Sequence, residues 1–285
     1  MFLLKRFAVL IVSSVLLSSC LGKYVENDLD ALAKNEEIKI VEYGQTNSLT
    51  LTKNASTGIY YNISKTNSAG LAVSSAYDLL LAYSLKTIDG KEIIKADSAM
   101  FNFYTSQAFD GFKYALLLLK EGEKGTFLIP SYQAYYESPP AGVEKYAVIV
   151  AEIELLDLLS EDDKINNYVK KKSITVTEKT NTGLRFIRTS ATTTNDSLKT
   201  GDNVSVKYNG MFLSETSFDS GTFGVVIGSN STIAGFSEGI SKLKKGEKAK
   251  IILPSTIGYG SKGSGSIPPF TPLIFDIEIL TVNGK

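Results

Sequence analysis

The residues able to do chemistry lie between Val206 and Leu280. In order they read Val206-Lys-Tyr208-Asn-Gly210, Phe218-Asp219-Ser220, Ile233-Ala-Gly235-Phe236-Ser-Glu238-Gly239-Ile240, Gly246-Glu-Lys248, Leu253-Pro254, Tyr259-Gly260, Ile267-Pro268-Pro269 and Leu273-Ile-Phe275-Asp-Ile-Glu278-Ile-Leu280. The chain contains no His, which excludes Ser-His-Asp and Cys-His catalysis, histidine metal sites and histidine pH switching. Its single Cys, Cys20, excludes an intrachain disulfide. What remains is non-covalent chemistry carried by Phe, Tyr and Asp side chains. Taken singly the motifs say little. Tyr208, Phe236 and Phe275 read equally well as core aromatics, Asp219 as a turn residue and Ile267-Pro268-Pro269 as the end of a loop.

Taken together and in this order, the motifs closely resemble the FKBP family of peptidyl-prolyl cis-trans isomerases, over nearly all of 176–283. The resemblance implies an α+β fold in which an antiparallel half-barrel sheet wraps a short helix, with an aromatic pocket between them that receives a proline. It implies a catalytic set of Tyr208, Phe218, Asp219, Phe236, Tyr259 and Phe275. Phe236 would form the floor, where many members have Trp, and Tyr208, Phe218, Phe223 and Phe275 the walls. Asp219 would stand at the rim, and the Tyr259 hydroxyl would meet a substrate carbonyl. Phe223, Thr232, Ile233 and Ile267 would contact the substrate, Ile233 through its backbone N–H. No cofactor or metal is implied. The implied partners are proline-containing client polypeptides and macrolide inhibitors of the rapamycin type.

This chemistry suits a chain without His. Imide rotation is opposed by a barrier of about 18–20 kcal/mol, because the C–N bond has double-bond character, and it takes tens to hundreds of seconds unaided. Twisting removes the resonance, so the transition state is less dipolar than the ground state. A pocket of rings favours it by withdrawing water from the imide, and a few hydrogen bonds then hold the twisted form. Two features depart from the family pattern. Only Gly221 and Thr222 separate Ser220 from Phe223, and the run Gly260 to Ser266 is rich in Gly and Ser, which predicts a mobile rim.

The elements that must position these residues are mostly strands. Val204, Val206 and Tyr208 alternate with polar neighbours, as in a half-buried strand. Lys248 to Leu253 reads as a second strand stopped by Pro254, and Leu273 to Leu280 as a central one. Ser237 to Lys244 fits a short helix, with Ile240 and Leu243 on one face and Gly246 beyond its end.

The whole unit occurs twice. Thr57-Gly58-Ile59 recurs as Thr182-Gly183-Leu184 and Tyr83 as Tyr208, shifts of 125, while Ile129-Pro130-Ser131 recurs as Leu253-Pro254-Ser255 and Tyr135 as Tyr259, shifts of 124. So long a period means two complete domains rather than a solenoid. Each copy has a leading helix, with Ile40 and Tyr43 matching Ile165 and Tyr168, and a first strand, with Ser48 to Thr52 matching Ser173 to Thr177. The division read from sequence is a leader over 1–19, a polar tether over 20–34, a degenerate FKBP-like domain over 35–158 and an isomerase domain over 159–285. The first copy keeps Tyr83 and Phe112 but has Ile93-Ile94 for Phe218-Asp219, Val143-Glu144-Lys145 for Ile267-Pro268-Pro269 and Ala151 for Phe275. Ala151 in place of a wall predicts a wider, wetter cavity and a catalytically silent domain that still folds, with Leu116 to Leu119 on its helix.

Lys5 and Arg6 precede an apolar stretch of 11 residues, Phe7 to Leu17, and then Leu17-Ser18-Ser19-Cys20. This resembles a bacterial lipoprotein signal in which Cys20 is acylated. The resemblance implies a protein of the cell envelope, on the periplasmic or surface side, that would be held to a membrane by its lipid. Lys+Arg and Asp+Glu stand at 30 each, so charge offers no argument for nucleic acid. Two functions from different classes remain: a prolyl isomerase for exported proteins, and a non-catalytic envelope chaperone or assembly module that uses the fold as a peptide clamp.

Overall fold

The computed structural model describes residues 16–193 and 197–283, with side chains from residue 28 onward. Most of the leader and the Cys20 side chain lie outside the described residues. The chain divides into two compact units. One takes in the residues up to Gly70, Leu81–Ser98 and Ala108–Leu155; the other takes in Leu71–Leu80, Ala99–Gln107 and Leu156 onward.

The first copy runs α1 (Leu16–Thr46), β1 (Thr52–Lys53), β2 (Tyr60–Lys65), β3 (Asp78–Thr87), β4 (Glu92–Phe101), α2 (Asp110–Leu116), β5 (Lys124–Ile129) and β6 (Ile149–Leu159). The second repeats the order: α3 (Glu161–Lys171), β7 (Glu178–Lys179), β8 (Arg185–Ser190), β9 (Asn203–Phe212), β10 (Ser217–Val226), α4 (Ala234–Ser241), β11 (Lys248–Leu253) and β12 (Leu273–Val282). Each copy builds one six-stranded antiparallel sheet, in the orders β1-β2-β5-β6-β3-β4 and β7-β8-β11-β12-β9-β10. Replacing each strand of the first sheet by its repeat gives the second.

Both faces of the second sheet are covered. The inner face holds Phe186, Val206, Ile251, Phe275 and Ile277 around Phe236, Ile240 and Leu243 of the α4 region. The outer face packs Ile187, Met211, Ile252 and Ile274 against Ile165 and Tyr168 of α3. Alternate residues of one strand therefore serve opposite cores. This is why β12 reads as nearly continuous apolar sequence and why each repeat needs its leading helix. In the first copy Ile40 of α1 covers Tyr60, Leu128 and Val150 in the same way. Helix α3 starts at a capping box, in which the Asp163 backbone N–H donates to the Ser160 hydroxyl and the Ser160 N–H donates to the Asp163 carboxylate at 3.0 Å.

Several elements sit differently from their sequence reading. Helix α1 runs through residues read as a tether. The segments 48–52 and 173–177 lead into two-residue edge strands instead of forming strands themselves. Helix α4 begins three residues earlier than its pattern suggests and ends at Ser241. Leu243 is buried from the turn that follows, which mimics helical spacing. In the first copy the helix likewise stops at Leu116, and Leu117 is exposed.

Candidate functional site

The site is built on the paired strands β9 and β10. Tyr208 and Gly210 alternate onto the inner face, where Tyr208 lies opposite Gly221 and Gly210 opposite Asp219. A β-bulge between Ser217 and Asp219 admits one extra residue, Phe218. Without it, strand alternation would send Phe218 to the other face; with it, Phe218 and Asp219 both turn inward. Asp219 accepts a hydrogen bond from the Tyr208 hydroxyl at 2.6 Å. The Phe218 ring meets Phe275 edge-on at 5.8 Å and Phe212 at 5.2 Å.

The floor comes from α4. Phe236 and Phe275 are each 4% exposed and meet edge-on at 5.3 Å. Phe236 also lies 6.0 Å from Tyr208 and 5.8 Å from Phe223. Phe223 in turn stands edge-on to Tyr208 at 5.4 Å. The short Gly221-Thr222 link therefore does not remove Phe223 from the cluster. The β10 strand runs straight through, and Gly221 leaves the space beside the Tyr208 ring open. Ile233, at the N-cap of α4, Tyr259 and the buried Ile267 pack on the same cluster. Among the described residues the Ile233 N–H has no hydrogen-bond acceptor, so it is available to a ligand. The Thr232 hydroxyl is engaged with Ser237 Oγ at 2.7 Å.

Gly210 stands in the sequence motif, but sequence reasoning gave it no role. A Cβ there would stand 2.7 Å from the Phe218 ring and 2.9 Å from Phe275. No side chain fits, so glycine is what allows two aromatic walls to close over the strand. The run Gly260 to Ser266 also differs from expectation. Ser264 and Ile267 exchange two backbone hydrogen bonds of 2.9 Å, and the Phe270 N–H donates to the Gly260 carbonyl at 3.0 Å. Gly260, Gly263 and Gly265 all have positive φ, so the glycines shape a hydrogen-bonded turn and hold Ile267 inward.

The Asp219 carboxylate, and after it burial, push the Tyr208 hydroxyl up to about 12. This value lies above the ordinary tyrosine pKa of about 10. The hydrogen bond is therefore fully present below the unfolded value and is lost as pH rises through the folded one. Asp219→Asn should return the ionisation of this phenol toward the ordinary value, seen as a difference between wild-type and variant ultraviolet phenolate titrations. Superimposable titrations would mean that the carboxylate does not hold Tyr208.

A family model for FKBP-type peptidyl-prolyl cis-trans isomerases matches residues 66–156 and again 194–280. The chain belongs to that family. It is 32% identical over 221 residues to a probable FKBP-type peptidyl-prolyl cis-trans isomerase of Haemophilus influenzae, covering 75% of this chain and 86% of that protein. It is 42% identical over 91 residues to FK506-binding protein 1 of Saccharomyces cerevisiae, covering 30% of this chain and 80% of that one. It is also 31% identical over 179 residues to human peptidyl-prolyl cis-trans isomerase FKBP9, covering 60% of this chain but 28% of the human protein. The activity of the protein is thus prolyl isomerisation, and both copies are FKBP-like.

The two FKBP copies differ at this ring cluster. In the first copy Tyr83 and Phe112 keep their places, 5.3 Å apart. The position of Gly210 is taken by Leu85, which is buried, and that of Phe275 by Ala151, which is fully buried. Ile251, which lies opposite Phe275, becomes Phe127, which lies opposite Ala151. Bulk has moved across the strand pairs while the core stays filled. Ala151 therefore does not open the wider, wetter cavity expected from sequence. Phe109, which replaces Ile233, completes the closure. Its ring touches both Tyr135 (4.9 Å) and the floor ring Phe112 (6.2 Å). Burial pushes the Tyr135 hydroxyl pKa up. The repeat register made each replacement readable, but not that the replacements compensate one another.

Proposed function

We propose that the second FKBP copy is where prolyl isomerisation takes place and that the first copy is a closed scaffold. The observation that supports this most is the set of edge-on rings, Phe218, Phe275, Phe236 and Tyr208, whose close approach over the strand Gly210 permits, flanked by an Ile233 N–H that is unengaged among the described residues. Edge-on packing leaves ring faces and edges around a concave apolar seat. A proline bound there loses the water that stabilises its dipolar imide, and Tyr259 and the Ile233 N–H hold the flanking carbonyls as the bond twists. Phe223, Thr232 and Ile267 border the seat. In this reading rapamycin-type macrolides compete for the same rings.

The proposal extends to location. Lys5, Arg6, the apolar run Phe7 to Leu17 and Cys20 support export and lipid anchoring in the cell envelope, with exported proline-containing polypeptides as clients. Two measurements test the two halves. The full chain, expressed with its leader, should accelerate cis-to-trans conversion of an X-Pro tetrapeptide in a protease-coupled assay, and a rapamycin-type macrolide should inhibit it. Cells fed a palmitate analogue should label the wild type and not Cys20→Ser. A folded protein without turnover leaves the peptide-clamp reading in its place, and equal labelling removes the anchor.

A further inference from the structure

The turn that carries Tyr259 is tied to the leading helix of its own domain. Ser255 donates two hydrogen bonds to the Glu161 carboxylate, from its backbone N–H to Oε2 and from its hydroxyl to Oε1, each at 2.6 Å. Ser255 is almost fully buried. Its own carbonyl then accepts from the Gly258 N–H at 2.8 Å and the Gly260 N–H at 2.9 Å, the two residues that flank Tyr259. One residue thus fixes the backbone on both sides of the tyrosine, and one carboxylate fixes that residue.

Glu161 is itself held by the helix on which it sits. It is the first residue of α3, just after the Ser160 capping box, and its neighbour Asp162 pairs with the buried Arg185 at 2.6 Å. The first copy has the same arrangement. Glu36 accepts from the Ser131 N–H at 3.0 Å and from its hydroxyl, and the Ser131 carbonyl accepts from Ala134 and Tyr136, on either side of Tyr135. The device therefore belongs to the fold of both copies. In the second copy, among the described residues, no ring packs on the tyrosine as Phe109 packs on Tyr135.

We propose that Glu161 is a positioning residue for prolyl isomerisation, acting through Ser255 to aim the Tyr259 hydroxyl at the substrate carbonyl; this rests on the role assigned to Tyr259 above. A charge-assisted pair of hydrogen bonds to one carboxylate is directional as well as strong. Small displacements of a positioning group are costly in rate, because the hydroxyl contributes only when it meets the carbonyl of the twisted substrate. Glutamine at 161 could still accept from the Ser255 N–H and donate to its Oγ, so it preserves the geometry without the charge. Alanine preserves neither.

The test uses the full chain and the kcat/KM for an X-Pro tetrapeptide. Glu161→Ala should lower it about tenfold, Ser255→Ala, which keeps the backbone bond, about threefold, and Glu161→Gln should stay within about twofold of wild type. In a Tyr259→Phe background Glu161→Ala should have no further effect, which a general loss of stability would not produce. Wild-type turnover in both Glu161→Ala and Ser255→Ala, or effects of Glu161→Ala and Tyr259→Phe that multiply, would overturn the positioning role while leaving the site intact. Undiminished turnover by Tyr259→Phe would instead remove the role of Tyr259, and this proposal with it.

Discussion

Gly210→Leu should abolish peptide isomerisation, and two further substitutions should restore stability without restoring turnover. Glycine at 210 is required because a Cβ would stand under 3 Å from both Phe218 and Phe275. Leucine there must expel one ring or distort the strand, and overpacking of this kind costs about 1–3 kcal/mol. The first copy shows how the same fold tolerates a leucine: Leu85 stands with Ala151 and Phe127. The triple variant Gly210→Leu, Ile251→Phe, Phe275→Ala copies that packing. Its unfolding free energy should recover to within about 1.5 kcal/mol of wild type, as volume-conserving swaps do. Turnover should remain at least about tenfold below wild type, since more than 1.4 kcal/mol of transition-state stabilisation has gone with the wall. A triple variant that folds and isomerises at the wild-type rate would show that the Phe218–Phe275 wall is not the seat.

What could be read from sequence follows from the range of the interaction. The strand β11 was legible to the residue, because its limits are set locally, by alternation on one side and Pro254 on the other. The start of α3 is likewise set within one turn, by the Ser160 and Asp163 cap. The limits of α4 were not. Ile233 caps it without any side-chain hydrogen bond, and Leu243, buried beyond its end, continues the helical period. Of the residues singled out by motif order, the rings come together in one cluster. The bulge that turns Phe218 inward is a property of two strands in register, invisible in one. The replacement of a wall by Phe127 is likewise a cross-strand event. Read along the chain, Ala151 is a loss; read across the pair, it is half of an exchange. Glu161 escaped for the same reason, since its partner Ser255 is 94 residues away.

A matched pair of floor substitutions should separate structure from catalysis most sharply. Phe112 and Phe236 are the same residue type at the third position of equivalent short helices, and each is 4% exposed. Truncation to alanine should cost each about 3–5 kcal/mol through lost burial and a cavity. Burial energetics cannot tell the two apart; the surroundings can. Phe236 belongs to a ring cluster with Tyr208, Phe223 and Phe275, proposed above as the proline seat. Phe112 is covered by Phe109, whose ring also meets Tyr135. Assayed in the full chain, at a temperature where circular dichroism shows both variants folded, Phe236→Ala should lose at least about tenfold in tetrapeptide turnover. Phe112→Ala should stay within about twofold of wild type. A rapamycin-type macrolide should bind wild type and Phe112→Ala with one site per chain, and Phe236→Ala with none. Two binding sites per chain, or equal loss of turnover in both variants, would show that the first copy holds a working seat and that Phe109 yields to the ligand. One site that vanishes only with Phe236 would mean that duplication left this chain with two copies of one fold and a single place for proline, closed in the other copy by its own phenylalanine.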